Sequence, residues 1–152
     1  MATFHDLRAL VCGIVASVML GSLTAHAAET ASPFGYWSTA DGHGVIEIAR
    51  CGDDLCGQIV GIDRPANEPM PTDVHGRPQC GLPIITDARP TSDGSWQGRI
   101  TDPRTGRTYQ AKLWLDESGQ LHLRGFIGTP LLGRTQVWDR YAGRLTPGCG
   151  LA

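Results

Sequence analysis

Apolar residues along most of this chain recur at every second position, in short runs that end at glycine, proline and aspartate. No window of roughly eleven residues in that stretch holds the helical period of about 3.6, so the pattern predicts strands and no helix. Val45–Arg50 puts Ile46 and Ile48 on one face and Glu47 on the other, and Cys56–Asp63 returns from it through Gly52-Asp53-Asp54-Leu55. Leu82–Thr86 is a short apolar run. Trp96–Thr101 sets Trp96, Gly98 and Ile100 against Gln97, Arg99 and Thr101. The turn Asp102-Pro103-Arg104-Thr105-Gly106 carries proline second and glycine at its exit. It leads into Arg107–Leu115, where Tyr109, Ala111, Leu113 and Leu115 oppose Gln110, Lys112 and Trp114. Beyond Asp116-Glu117-Ser118-Gly119, Gln120–Ile127 aligns Leu121, Leu123, Gly125 and Ile127, and a last strand runs from Leu132 to Tyr141.

Strands this close together leave no room for parallel crossovers, so the sheet is predicted to be antiparallel and up-and-down. Such a sheet stacks into a sandwich or closes into a barrel, and closure removes exposed edges. Alternation alone does not choose between them. The predicted inner wall comprises Trp96, Ile100, Tyr109, Leu113, Leu115, Leu121, Leu123 and Ile127. Such a wall suits a small apolar or amphipathic ligand, though side chains of this bulk can also meet and leave no cavity. Phe126 and Trp114 fall on the opposite face and are expected to be exposed. One connection is long: Asp63–Cys80 holds Pro65, Pro69, Pro71 and Pro78, and reads either as a flap or as a surface excursion pinned by Cys80.

Composition narrows the picture. The chain has 152 residues, 41% of them hydrophobic and 18% charged, enough for one core. A net charge of -2 argues against nucleic acid as the main partner. Met1–Ala27 reads as a secretory signal: Arg8, then the apolar run Ala9–Leu20, then the small-x-small triplet Ala25-His26-Ala27. That run is shorter than the roughly 20 residues a bilayer span needs. The expectation is therefore one exported domain over residues 28–152, periplasmic or secreted, with no membrane span.

Removing the signal also removes Cys12 and leaves Cys51, Cys56, Cys80 and Cys149. An even number in an exported chain suggests disulfides. Of the three connectivities, spacing favours Cys51 with Cys56 across a tight turn, and hence Cys80 with Cys149. Cys-x4-Cys without a matching second pair fits zinc poorly, so no metal and no cofactor is expected.

No catalytic set is visible. His43, His75 and His122 follow the signal, with no nucleophile elbow and no His-x-x-x-His pair. Asp53 and Asp54 read as solvated turn acids, Asp102 as a turn residue and His122 as a surface group. Asp73 and His75 are the one acid–base pair worth testing. A hydrolase or isomerase is disfavoured against a binding barrel. The competing class is an envelope interaction or inhibitor module acting through its loops.

Gly35-Tyr36-Trp37, then Asp41-Gly42 and a strand, resembles the glycine-x-tryptophan opening of lipocalins and avidins. The resemblance implies a tryptophan that closes the barrel base and an arginine from the last strand packed across it, with Arg134 and Arg140 as candidates. A longer series of blocks occurs in order: Cys51-x4-Cys56-Gly57-x-Ile59, Gly81-Leu82-Pro83-Ile84-Ile85, Trp96-x-Gly98-x-Ile100-x-Asp102-Pro103 with Gly106 and Tyr109, and Leu123-Arg124-Gly125-x-Ile127-Gly128 with Gly133-Arg134-Thr135-Gln136-x-Trp138. Together they resemble the exported bacterial family of domain of unknown function 2147, similar in fold to lipocalins. That resemblance implies a closed barrel and carries no activity with it.

Overall fold

The computed structural model describes residues 32–152, so the expected signal segment, Met1–Ala27, lies outside the described residues. Eight strands follow in order: β1 (Gly35–Ser38), β2 (Gly44–Cys51), β3 (Asp54–Ile62), β4 (Pro83–Pro90), β5 (Trp96–Thr101), β6 (Thr108–Leu115), β7 (Leu121–Phe126) and β8 (Arg134–Arg140). Each pairs antiparallel with the next, and β8 returns to β1 with Trp37 opposite Arg140 and Ser38 opposite Asp139. The sheet is thus a closed eight-stranded antiparallel barrel, and the sandwich alternative falls away. A two-rung ribbon of β9 (Leu145–Thr146) and β10 (Gly150–Leu151) then lies against β3, with Gly150 beside Ile62. The sequence pattern gave no sign of this ribbon, because two-residue strands carry no period.

The turns share one device. Asp41, Asp73, Asp93, Asp102 and Asp116 each accept, through Oδ1, the backbone N–H two residues on, at 2.8 to 3.1 Å. A short carboxylate in this position stands in for a backbone carbonyl and fixes the bend. All five carboxyls are held below the usual aspartate range. For Asp41 the main cause is the Thr39 hydroxyl, for Asp93 the Lys112 ammonium, and for Asp116 the Ser118 hydroxyl followed by the His122 ring. At Asp73 and Asp102 burial pushes the other way and is outweighed by hydrogen bonds from Arg77 and Arg104.

Pairing between β4 and β5 is interrupted where Asp87 adopts a left-handed φ of 55°. Asp87 and Ala88 bulge opposite Gly98, and the Asp87 carboxylate is caught by the Arg99 guanidinium. Gly98 has to be glycine here: a Cβ would stand 2.6 Å from the Ala88 Cα.

The barrel axis is filled by Trp37, Ile46, Ile48, Leu55, Ile85, Leu113, Leu121, Leu123 and Trp138, all at most 2% exposed. Cys51 and Cys56 are joined across the β2–β3 turn, with Cα atoms 5.9 Å apart. Cys80 and Cys149 are joined at 5.8 Å, tying the long loop to the C-terminal ribbon. Both pairs are those the spacing favoured. Among the described residues no helix is long and apolar enough to cross a membrane.

Two expected placements are corrected. Ile127 is not on the inner wall but 71% exposed, because β7 stops at Phe126 and Gly128 (φ 74°) turns the chain out of the sheet. The period-2 alternation ends with the strand, one residue before Ile127. Phe126, expected to be exposed, is only 7% exposed although it points outward; the backbone of Gly133 lies so close that a Cβ there would sit 2.8 Å from that of Phe126. The last strand also starts two residues later than expected, since Pro130–Leu132 form a 3-10 turn capped by Thr129.

Candidate functional site: the open end of the barrel

The two ends differ. At the base, the Trp37 indole N–H donates to the Pro33 carbonyl at 2.7 Å, and the Arg140 guanidinium lies over the ring, 4.0 Å from its centroid. Arg140 also donates to the carbonyls of Phe34, at 2.6 Å, and Ser32. Burial lowers its pKa from the usual guanidinium value, yet it stays cationic at any physiological pH. Arg134, the other candidate for this role, is paired with Gly125 near the opposite end of β8. Arg140 alone closes the base.

Register across β5 to β8 assigns the inner face in rows. Leu115, Leu121 and Trp138 form the lowest row; Trp96, Leu113, Leu123 and Gln136 come next; Gly98, Ala111, Gly125 and Arg134 follow; Ile100 and Tyr109 lie above them. Of the expected inner wall, Leu113, Leu121 and Leu123 are buried in the packed core, while Trp96, Ile100 and Leu115 are half-buried against it. Leu113 and Leu121 have no accessible surface, so no water-sized space touches them. Any ligand must sit above this floor.

Toward the other end the inward-facing residues other than Ala111 are half-buried or exposed. Gly125 leaves a methyl-sized space beside Ile100 and Tyr109, since a Cβ there would touch them at ordinary contact distances of 3.7 and 3.9 Å. Arg134 and Gln136 share the inward face with Trp138, whose indole N–H donates to the Gln136 Oε1 at 2.9 Å, and both are exposed. The mouth therefore offers a half-buried aliphatic–aromatic pair and a cation with an amide at its edge. The sequence reading identified Ile100 and Tyr109 as lining but missed Gln136 and the inward aim of Arg134; extending the period-2 phase of Trp138 back along β8 would have found both.

The Asp63–Cys80 loop beside this mouth is anchored. Leu82 enters the core, the Val74 N–H donates to the Pro103 carbonyl at 3.2 Å, and Val74 lies against Gly106. The Asp73 carboxylate accepts from the backbone N–H groups of His75 and Arg77 and from the Arg77 side chain. Its lone pairs are spent on shaping the loop, and its partner is Arg77, not the His75 ring. Asp73 and His75 do border a small hollow of about 120 Å³ with Thr101 and Pro103. His122 stacks on Trp114 with ring centroids 5.0 Å apart and bonds to Asp116, and His43 bonds to Asp63.

A larger hollow of about 540 Å³ lies on the outer wall, over Phe126 between Arg89, Gln97, Arg99 and Gln110. It is shallow and open, and its arginines are engaged by Asp54 and Asp87, so it lacks the enclosure typical of a small-molecule site.

A family described as an uncharacterized protein conserved in bacteria (DUF2147) matches residues 35–140, the whole run from β1 to β8. The chain belongs to this family. Among solved structures it is similar to protein HP1028 from the human pathogen Helicobacter pylori, described as belonging to the lipocalin family, with a TM-score of 0.64 and 15% identity over 74% of this chain and 85% of that one. At this identity the likeness concerns the fold, and it places the DUF2147 barrel among lipocalin-like barrels. No curated protein matches the chain.

Proposed function

We propose that this DUF2147 protein is a non-catalytic binding barrel, acting outside the cytoplasm, that takes a small apolar or amphipathic molecule at its open end. The observation carrying this reading is the inward face at the rim, where half-buried Ile100 and Tyr109 lie near exposed Arg134 and Gln136 above a floor closed by Leu113 and Leu123. An acyl or ring portion would lie on that floor, and a polar or anionic end would meet Arg134 and Gln136 at the edge. Two disulfides fit an oxidising compartment. The engagement of Asp73 by backbone and Arg77 supports the absence of catalysis, since it removes the acid–base pair suggested by the sequence.

Native mass spectrometry and organic extraction of protein purified from its own cells test this. The expected result is a bound small molecule, together with a tryptophan emission change on titration with fatty acids and hydrophobic dyes. A Gly125→Leu variant should lose both. A clean unliganded mass with no response to the panel would overturn the reading.

A further inference from the structure

Exposed aliphatic side chains are concentrated on one connection. Ile127, Leu131 and Leu132 are 71%, 88% and 79% exposed, all within the β7–β8 link at the open rim. This link is held in shape. Arg124 donates from Nε to the Pro130 carbonyl at 2.6 Å and from its terminal nitrogens to Thr135 and the Leu131 carbonyl. The Thr129 hydroxyl caps the 3-10 turn, and Gly133 folds back over Phe126. A built, outward-pointing apolar tip costs solubility and contributes nothing to the core, so packing does not account for it.

The link itself carries no carboxylate, and two aspartates at the same rim, Asp73 and Asp102, are paired with Arg77 and Arg104. No acidic residue occurs between Glu117 and Asp139, whereas Arg124 and Arg134 flank the tip and neither has a carboxylate partner among the described residues. Three protruding aliphatic groups are too few to bury the roughly 1,200 Å² of a stable protein interface, and the tip carries none of the aromatics enriched in such interfaces. A convex aliphatic knob beside unpaired cations matches a medium that closes around it and carries negative headgroups. We propose that Ile127, Leu131 and Leu132 dock the open rim of the barrel on an anionic lipid surface, with Arg134 held at the headgroups. This does not depend on the barrel taking a ligand.

Co-sedimentation of the protein with phosphatidylglycerol-rich phosphatidylethanolamine vesicles, and with phosphatidylcholine vesicles, tests the proposal at low and high salt. Binding to the anionic vesicles is expected, weakened by salt. In the double variant Leu131→Ser, Leu132→Ser the partition coefficient should fall at least about tenfold, and in Arg134→Gln about fivefold. Thermal midpoints should stay close to the parent value, because these leucines bury little surface. Parent and variants share residues 1–31, so the difference between them reports on the tip. No sedimentation with anionic vesicles at low salt would overturn the proposal, as would undiminished binding by the leucine variant. A concentration-dependent dimer that this variant dissolves would also overturn it, by showing a second copy on the tip.

Discussion

The guanidinium of Arg140 lies over the indole of Trp37, 4.0 Å from the ring centroid, at the rung where the last barrel strand meets the first. The same cation binds two carbonyls of the segment leading into β1, so one side chain closes the base, joins the seam and fixes the entry of the chain.

Removing it should be costly. Arg140→Ala is expected to destabilise the barrel by about 2 kcal/mol, from the lost cation–π contact and the orphaned carbonyls, with Arg140→Lys recovering part of it. Gly35→Ala should cost a similar ~2 kcal/mol: its φ is 116°, and a Cβ would stand 3.0 Å from the Arg140 Nη1. Urea denaturation followed by far-UV circular dichroism measures both.

Two glycines in one inward row should behave in opposite ways. Gly98→Ala is expected to cost about 3 kcal/mol, since its Cβ would collide with the backbone of the Asp87–Ala88 bulge. Gly125→Ala should be neutral or stabilising by about 0.5–1 kcal/mol, because the new methyl meets only ordinary contacts and the unfolded chain loses freedom. Paired thermal melts decide this, and an equal loss in both variants would show that the row is not built as described.

The Cys80–Cys149 bridge closes a sequence separation of 69 residues. Replacing both cysteines with serine should cost about 3–4 kcal/mol, on the view that the link restricts the unfolded chain. Peptide mapping without reduction should show Cys80 joined to Cys149. Hydrogen exchange in the variant should quicken first in the 63–82 loop and the C-terminal ribbon.

Acid should act through the turns. The five turn aspartates have folded pKa values below the ordinary 3.8, so each favours the folded state in its charged form. Their contribution is complete above about pH 5 and is lost as pH falls through 3.8 toward each lowered value. Urea midpoints should be flat between pH 5 and 7 and decline below about 4. Asp116→Asn, which keeps the Oδ1 acceptor but not the charge, should flatten part of that decline.

The alternation of Trp96–Thr101, Arg107–Leu115 and Gln120–Ile127 made the inner face of three consecutive strands legible, because each strand is regular and bounded by a tight aspartate turn. Errors gathered where regularity ends. Ile127 lies past the strand terminus, where a glycine turn takes it out of the sheet, and Phe126, outward as counting predicts, is covered by Gly133 folding back. The choice of Arg140 over Arg134 depended on which end of β8 meets β1, and one strand's pattern does not carry that pairing. The bulge at Asp87 and the anchoring of the 63–82 loop arise from contacts between distant segments, which local periodicity does not encode.

Closure rests on a short seam: Trp37 pairs with Arg140 and Ser38 with Asp139, and the Tyr141 N–H donates to the Tyr36 carbonyl at 3.0 Å. These are partners from nearly opposite ends of the barrel sequence, so their meeting waits on every intervening hairpin. The cylinder is in effect a strap fastened by a short clasp, and the indole stays wet until the clasp snaps shut. Shielding of that one ring is thus a natural clock for the completion of folding.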